Sequence, residues 1–160
     1  MTSHEINWER YGDASSLPDN VIDGAELLLG VKFPDDYRQC VRSFHGCQPD
    51  ACDFRAEAEG KPWHGGIGVL LTLDPFTPHN VFDVLSSLAI DQQLPSKLVP
   101  IADDGGGNFL CLDYRRTSTP SVAFWFHEVG GDQAVVFVCD TFSQLLNMLY
   151  VPDDVIADRG

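Results

Sequence analysis

Positive charge is scarce in this chain: ten Lys and Arg stand against 24 Asp and Glu, for a formal net charge of -14. Phosphate backbones and anionic lipids are repelled by such a surface, which sets aside nucleic-acid and membrane-surface binding. The excess either steers the chain toward a basic partner or keeps it soluble, and charge alone does not choose between these. No apolar run approaches the ~18 residues that a membrane span needs. Residues 1–8 are polar and lack the charged-then-apolar order of a secretory leader. Cysteines are few and odd in number: Cys40, Cys47, Cys52, Cys111 and Cys139. Five thiols without a leader imply a reducing compartment, and the expected location is cytoplasmic. A repeat of solenoid or propeller period is also missing.

Catalytic patterns are equally thin. There is no G-x-S-x-G elbow and no Ser or Cys beside a base. His127 and Glu128 are adjacent on a strand, so they point to opposite faces and cannot easily act on one atom. The glycines at 105–107 lack the Lys and Ser/Thr of a phosphate loop, lead into a strand, and follow two aspartates that would repel phosphate. Asp103, Asp104 and Asn108 do not fall on the alternating positions of a calcium loop. His45, Cys47, Cys52 and His64 are zinc-ligand types at spacings that match no common structural site. The expectation is a chain without catalytic residues, metal or cofactor. Trp63, Trp125 and the phenylalanines read as core or core rim, because no basic residues interleave with them.

What is present is an ordered run of elements. Ser16 and Pro18 open a helix with Val21, Ala25, Leu28 and Leu29 on one face, ended by Gly30. Pro34, Asp35 and Asp36 open a second, with Tyr37, Cys40, Val41 and Phe44 inward and Gly46 as its exit. Residues 47–66 read as a long surface excursion, either a binding loop or a tolerated insertion, in which 53–59 could be a strand or a helical turn. Residues 68–73 read as a strand. A crossover helix follows Thr77-Pro78 with Val81, Val84, Leu85 and Leu88 on one face. Strands at 98–102 and 109–114 flank Asp103, Asp104 and the three glycines, which reverse the chain. Residues 121–127 are apolar on both faces and read as a central strand. Gly130-Gly131-Asp132 turns into a strand at 134–139. Thr141 and Gln144 form a capping box before Phe142, Leu145, Leu146 and Leu149. The architecture expected is α+β: a central, mostly antiparallel sheet of about five to six strands, two N-terminal helices, one crossover helix and a C-terminal helix. Residues 1–160 form one domain in this reading, with 1–15 a flap carrying Trp8 and Tyr11 and 151–160 a frayed tail.

Set in order, Glu26-x-x-Leu29-Gly30-x-x-Phe33-Pro34-x-Asp36-Tyr37, then His45-Gly46, then Ile101-Ala102-Asp103-Asp104-Gly105-Gly106-Gly107-Asn108 and Leu112-Asp113, the chain resembles the SUKH superfamily. That superfamily includes fungal cell-wall-assembly regulators of the Smi/Knr type and bacterial immunity proteins. The likeness spans residues 17–150 and includes the later strand with Trp125, His127 and Glu128. His45 stands where the family more often has Asn. The resemblance implies an α+β fold and a protein-binding role, most often neutralising a toxin from a competing bacterium. The expected partner is a cognate basic toxin domain of nuclease type, whose active site this chain covers. A regulatory or scaffold module like the fungal members is the alternative. The contact residues expected are Asp50, Asp53, Glu57 and Glu59 in the excursion and Asp103 and Asp104 in the turn, whereas Asp35 and Asp36 serve the start of their helix.

Overall fold

Backbone chemistry delimits the first two helices of the computed structural model, which describes residues 5–10, 15–91, 94–129 and 132–153. Helix α1, Asp19–Leu29, begins after Pro18 and ends at Gly30, whose φ of 70° lets its N–H turn back to the Glu26 carbonyl. Helix α2, Asp35–Phe44, begins after Pro34 with Asp35 and Asp36 in its first turn. Ser16 does not cap α1; extended Pro18 occupies the cap position, and no side chain donates or accepts there.

The face that α1 turns inward differs from the expected one. Ile22, Ala25 and Glu26 are buried, while Leu27 and Leu28 are 84% and 74% exposed. The reason is a carboxylate. Glu26 Oε2 accepts the Phe33 N–H at 2.6 Å and Oε1 accepts Arg38 Nη1 at 2.8 Å. Arg38 reaches on to Asp23 at 2.9 Å, so one guanidinium clamps two turns of α1 to α2. Tyr114 donates its hydroxyl to the Lys32 carbonyl at 2.7 Å, fixing the connector from the other side. These bonds explain why a Glu precedes Leu29-Gly30 and Phe33-Pro34 at this spacing. Its buried charge is tolerated only because a cation and a backbone donor meet it.

The central sheet has four antiparallel strands in chain order: β5 (Leu98–Asp103), β6 (Phe109–Asp113), β7 (Ser121–Trp125) and β8 (Val135–Cys139). A single 3-10 turn, Asp132–Ala134, leads into β8. The other described strands pair apart from it: β1 (Trp8–Arg10) with β2 (Cys47–Pro49), and β3 (Asp53–Ala58) with β4 (Lys61–Gly66). The sheet is therefore narrower than the expected five to six strands. Residues 68–73 lie along β5 and exchange backbone bonds through Leu71 N to Ile101 O and Asp103 N to Val69 O, but form only isolated bridges. Register shifts between Pro100 and Ala102 on that strand, and Pro100 has no N–H to donate.

Both faces of the sheet are covered. Val122 and Phe124 of β7 face a core shared with Ile22, Tyr37, Val41, Phe54 and Phe142. Trp125 and Cys111 face Leu88 of the crossover helix α3, Val81–Asp91, together with Leu98 and Ala134. Asn80 caps α3, accepting the Asp83 N–H at 2.9 Å. Helix α4, Phe142–Met148, carries the expected capping box of Thr141 and Gln144. Its second N–H, that of Ser143, donates to Asp36 Oδ2 at 2.8 Å, as does the Ser143 hydroxyl. Asp36 thus ties the start of α2 to the start of α4. Trp8 stacks on Phe44 with ring centroids 5.0 Å apart. Tyr11, the Gly130-Gly131 part of the expected turn and residues 154–160 of the expected tail lie outside the described residues.

Replacing Glu26 by Ala leaves Arg38 with Asp23 alone and the Phe33 N–H without its acceptor, and should cost about 1–3 kcal/mol in urea unfolding. Glu26→Gln, which keeps an acceptor, should cost less than Glu26→Ala.

Candidate protein-interaction site

The six carboxylates expected to touch a partner are carried by three segments: Asp50 after β2, Asp53, Glu57 and Glu59 on the β3–β4 hairpin, and Asp103 and Asp104 at the end of β5. Asp50 follows β2 and accepts from the Asn7 backbone N–H at 3.0 Å, from Asn7 Nδ2 at 3.1 Å and from the Ala51 N–H at 2.7 Å. Asp53 and Asp103 flank the link from β4 to the segment beside β5. Asp53 pairs with Gly66 and exchanges two backbone bonds with Tyr150, while the Asp103 carbonyl accepts the Gly68 N–H at 2.6 Å. Glu57 and Glu59 lie at the far end of the β3–β4 hairpin, both exposed.

The loop between β5 and β6 is built around its aspartates. Asp104 Oδ1 accepts the N–H groups of Gly106 and Asn108 at 2.8 and 3.0 Å, and Oδ2 accepts Asn108 Nδ2 at 2.8 Å. Asn108 Oδ1 in turn accepts the His127 N–H at 3.0 Å, joining the loop to the end of β7. Gly105 and Gly107 have φ of 80° and 94°, and a Cβ on Gly107 would meet the His127 ring at 3.0 Å. Asp103 Oδ1 accepts the Val69 N–H at 2.9 Å, and a Cβ on Gly68 would collide with that same oxygen. The Gly106 and Asn108 amides already have a carboxylate acceptor in Asp104, so its side chain serves the loop's own backbone.

The segment expected as a surface excursion is mostly paired backbone. Phe54 is fully buried, with its ring 5.6 Å from that of Trp63, and Trp63 lies 5.4 Å from Phe124. The hairpin thus lays one face on the sheet and leaves Arg55, Glu57, Glu59 and Lys61 exposed. Ala58 pairs with Lys61, so Glu59 and Gly60 form a two-residue turn with φ of 53° and 74°. Positive φ at both positions is the hairpin turn that Asn-Gly normally fills. Glu59 therefore holds a left-handed backbone that costs a non-glycine residue about 1 kcal/mol or more. The signal for this hairpin was present as Phe54-x-Ala56-x-Ala58 alternation running into Glu59-Gly60.

The zinc-ligand types are not assembled. His45 is buried; its Nε2 donates to the Ser15 carbonyl at 2.7 Å and its Nδ1 lies 2.8 Å from Thr72 Oγ1. Among the described residues no group of three His, Cys, Asp or Glu side chains could hold a metal ion. All five cysteines are thiols, none joined in a disulfide. Burial pushes Cys40 up to about 12 and Cys139 up to about 11, and raises Cys111 and Cys47 as well. Among the described residues no helix is long and apolar enough to cross a membrane.

Sequence reading did not find a groove of about 1060 Å³ between the end of α1, α3, the start of β5 and the loop after β6. Lys32, Lys97, Arg115 and Arg116 line it. Beside it, Arg115 clamps Asp113 through Nε and Nη2 at 3.0 and 2.9 Å. Burial raises the Asp113 carboxyl, but the hydrogen bonds and charge of Arg115 outweigh it and hold the group below its usual range.

The chain belongs to the SMI1/KNR4 family (SUKH-1), whose model matches residues 17–148. Among curated proteins it is similar to the SPbeta prophage-derived uncharacterized protein YokK of Bacillus subtilis (strain 168). The two are 25% identical over 150 residues, covering 84% of this chain and 74% of that one.

Two outcomes follow from these contacts. Gly68→Ala must push Asp103 off the Val69 N–H, and should lower unfolding stability by about 1–3 kcal/mol. A carboxyl depressed in the folded state stabilises above its unfolded pKa of roughly 3.9, and that contribution disappears as pH falls through the folded value. Asp113→Asn should therefore flatten the acid limb of stability measured by urea titration below about pH 4 and leave its shape at neutral pH unchanged.

Proposed function

We propose that this chain is a cytoplasmic immunity protein that binds a cognate toxin of nuclease type and covers its basic active site. The observation carrying the proposal is the strained acidic turn of the β3–β4 hairpin on a SUKH-1 chain of net charge -14. A glutamate kept in a left-handed turn position, where Asn or Gly would sit with less strain, has a reason other than folding. Glu57 and Glu59 offer their charges outward. Asp50, Asp53, Asp103 and Asp104, with oxygens already accepting protein donors, add to the negative field that steers the partner toward the hairpin. Carboxylates at such a face take the place of substrate phosphates in a cationic cleft. Inhibition is by occupancy, with no turnover by this chain. The prophage origin in the name of its relative fits a gene that travels between competing strains.

The test is co-expression with the toxin domain encoded beside this gene, together with association rates for the purified pair. Wild-type chain should protect cells, and association should slow roughly tenfold or more between low and physiological salt. Glu59→Asn should raise unfolding stability by about 0.5–1 kcal/mol while weakening toxin binding. Absence of protection and of binding by the folded wild-type chain would overturn the proposal. A growth defect on deletion in cells without the toxin would favour the regulatory or scaffold role instead.

A further inference from the structure

The groove beside α1 is chemically opposite to the rest of the surface. It gathers four of the ten Lys and Arg of a chain whose net charge is -14. Two of the four are already engaged: Arg115 with Asp113 and Asp132, and Lys32, weakly, at 4.0 Å from Glu26. Lys97 and Arg116 have no acidic side chain within ion-pair distance among the described residues, and both are exposed. Lys97 also holds a left-handed backbone with φ of 67°. A lysine gains nothing for the fold in that position that Gly or Asn would not supply with less strain.

Between the cations the lining is aliphatic. Leu29, Val31, Leu85 and Leu94 are only partly buried, and Leu27 stands 84% exposed at the lip with Leu28 next to it. Among the described residues nothing covers these two adjacent leucines on the outer face of α1. Tyr114, the aromatic residue of the lining, is buried and donates to Lys32 O, so no ring is offered to stack a nucleobase. A concave space does not match a flat membrane surface. It is also larger than a lone phosphate or carboxylate needs.

We propose that this groove docks an acidic peptide segment with aliphatic anchors, contributed by a protein partner. The anchors occupy the leucine-lined floor and the carboxylates meet Lys97, Arg116 and Lys32 at the rim. At physiological salt the Debye length is about 8 Å, so the distant acidic surface is screened while the rim cations act at contact range. The site is separate from the acidic hairpin, and its occupant has the opposite charge from the toxin proposed above.

The probe is a short fluorescent peptide alternating leucine with glutamate, titrated with the full chain at physiological salt. Its controls are a glutamate-only peptide and the leucine–lysine counterpart. Saturable binding of the leucine–glutamate peptide alone is expected. Lys97→Asn and Arg116→Ala together should weaken it about tenfold or more, without loss of unfolding stability. Glu57→Lys with Glu59→Lys, on the other site, should change it less than twofold. Amide shifts on peptide addition should cluster at residues 27–32, 94–99 and 114–118. Failure to saturate, equal binding of the glutamate-only peptide, or indifference to the Lys97 and Arg116 changes would each overturn the proposal.

Discussion

A buried carboxylate, that of Glu26, holds the junction of the first two helices. Two short helices joined by five residues would not by themselves settle at one angle, and α1 carries a glycine, Gly24, in its interior. Glu26 fixes the junction by accepting one backbone N–H from the connector and one guanidinium from α2. The remainder follows from that placement. With Glu26 inward, Ile22 and Ala25 go to the core, Leu27 and Leu28 go to solvent, and Tyr114 of the sheet can reach the Lys32 carbonyl. Asp36 and Asp104 repeat the device at the α4 start and the β5–β6 loop, each satisfying amides that would otherwise be orphaned.

The family signature is thus a list of acceptors and of glycines that let the backbone reach them. Glu26, Asp36, Asp103 and Asp104 serve backbone N–H groups, and Gly30, Gly105 and Gly107 hold positive φ. A chain can keep all of these and still vary what it binds. The residues free to specify a partner are then those outside the signature, on the hairpin and around the groove.

Legibility in the sequence followed the range of the interaction. Local devices were readable: the Gly30 stop, the acidic first turn of α2, the Thr141–Gln144 box and the reversal at 103–108. Interactions between distant segments were not. Periodicity placed Leu28 inward because it weighs hydrophobicity and has no means of knowing that Arg38 and Phe33 would draw Glu26 in. Residues 47–66 looked like an excursion because strands built from Ala, Gly, Pro and charged residues carry little apolar alternation, and Phe54 and Trp63 are the two large apolar side chains among them. The aspartates of the glycine loop were legible as a turn, but their internal partners at Val69 and Asn108 emerge only in three dimensions. The basic groove draws on four separate segments and leaves no linear trace.

The central claim is that signature carboxylates build the fold while the hairpin meets the partner. Hydrogen–deuterium exchange of the chain with and without the toxin domain proposed as its partner tests this most directly. The account predicts new protection centred on the hairpin, residues 55–64, with residues 103–108 already slow in the free protein. Protection that spares the hairpin, or a glycine loop that exchanges freely until toxin binds, would contradict it.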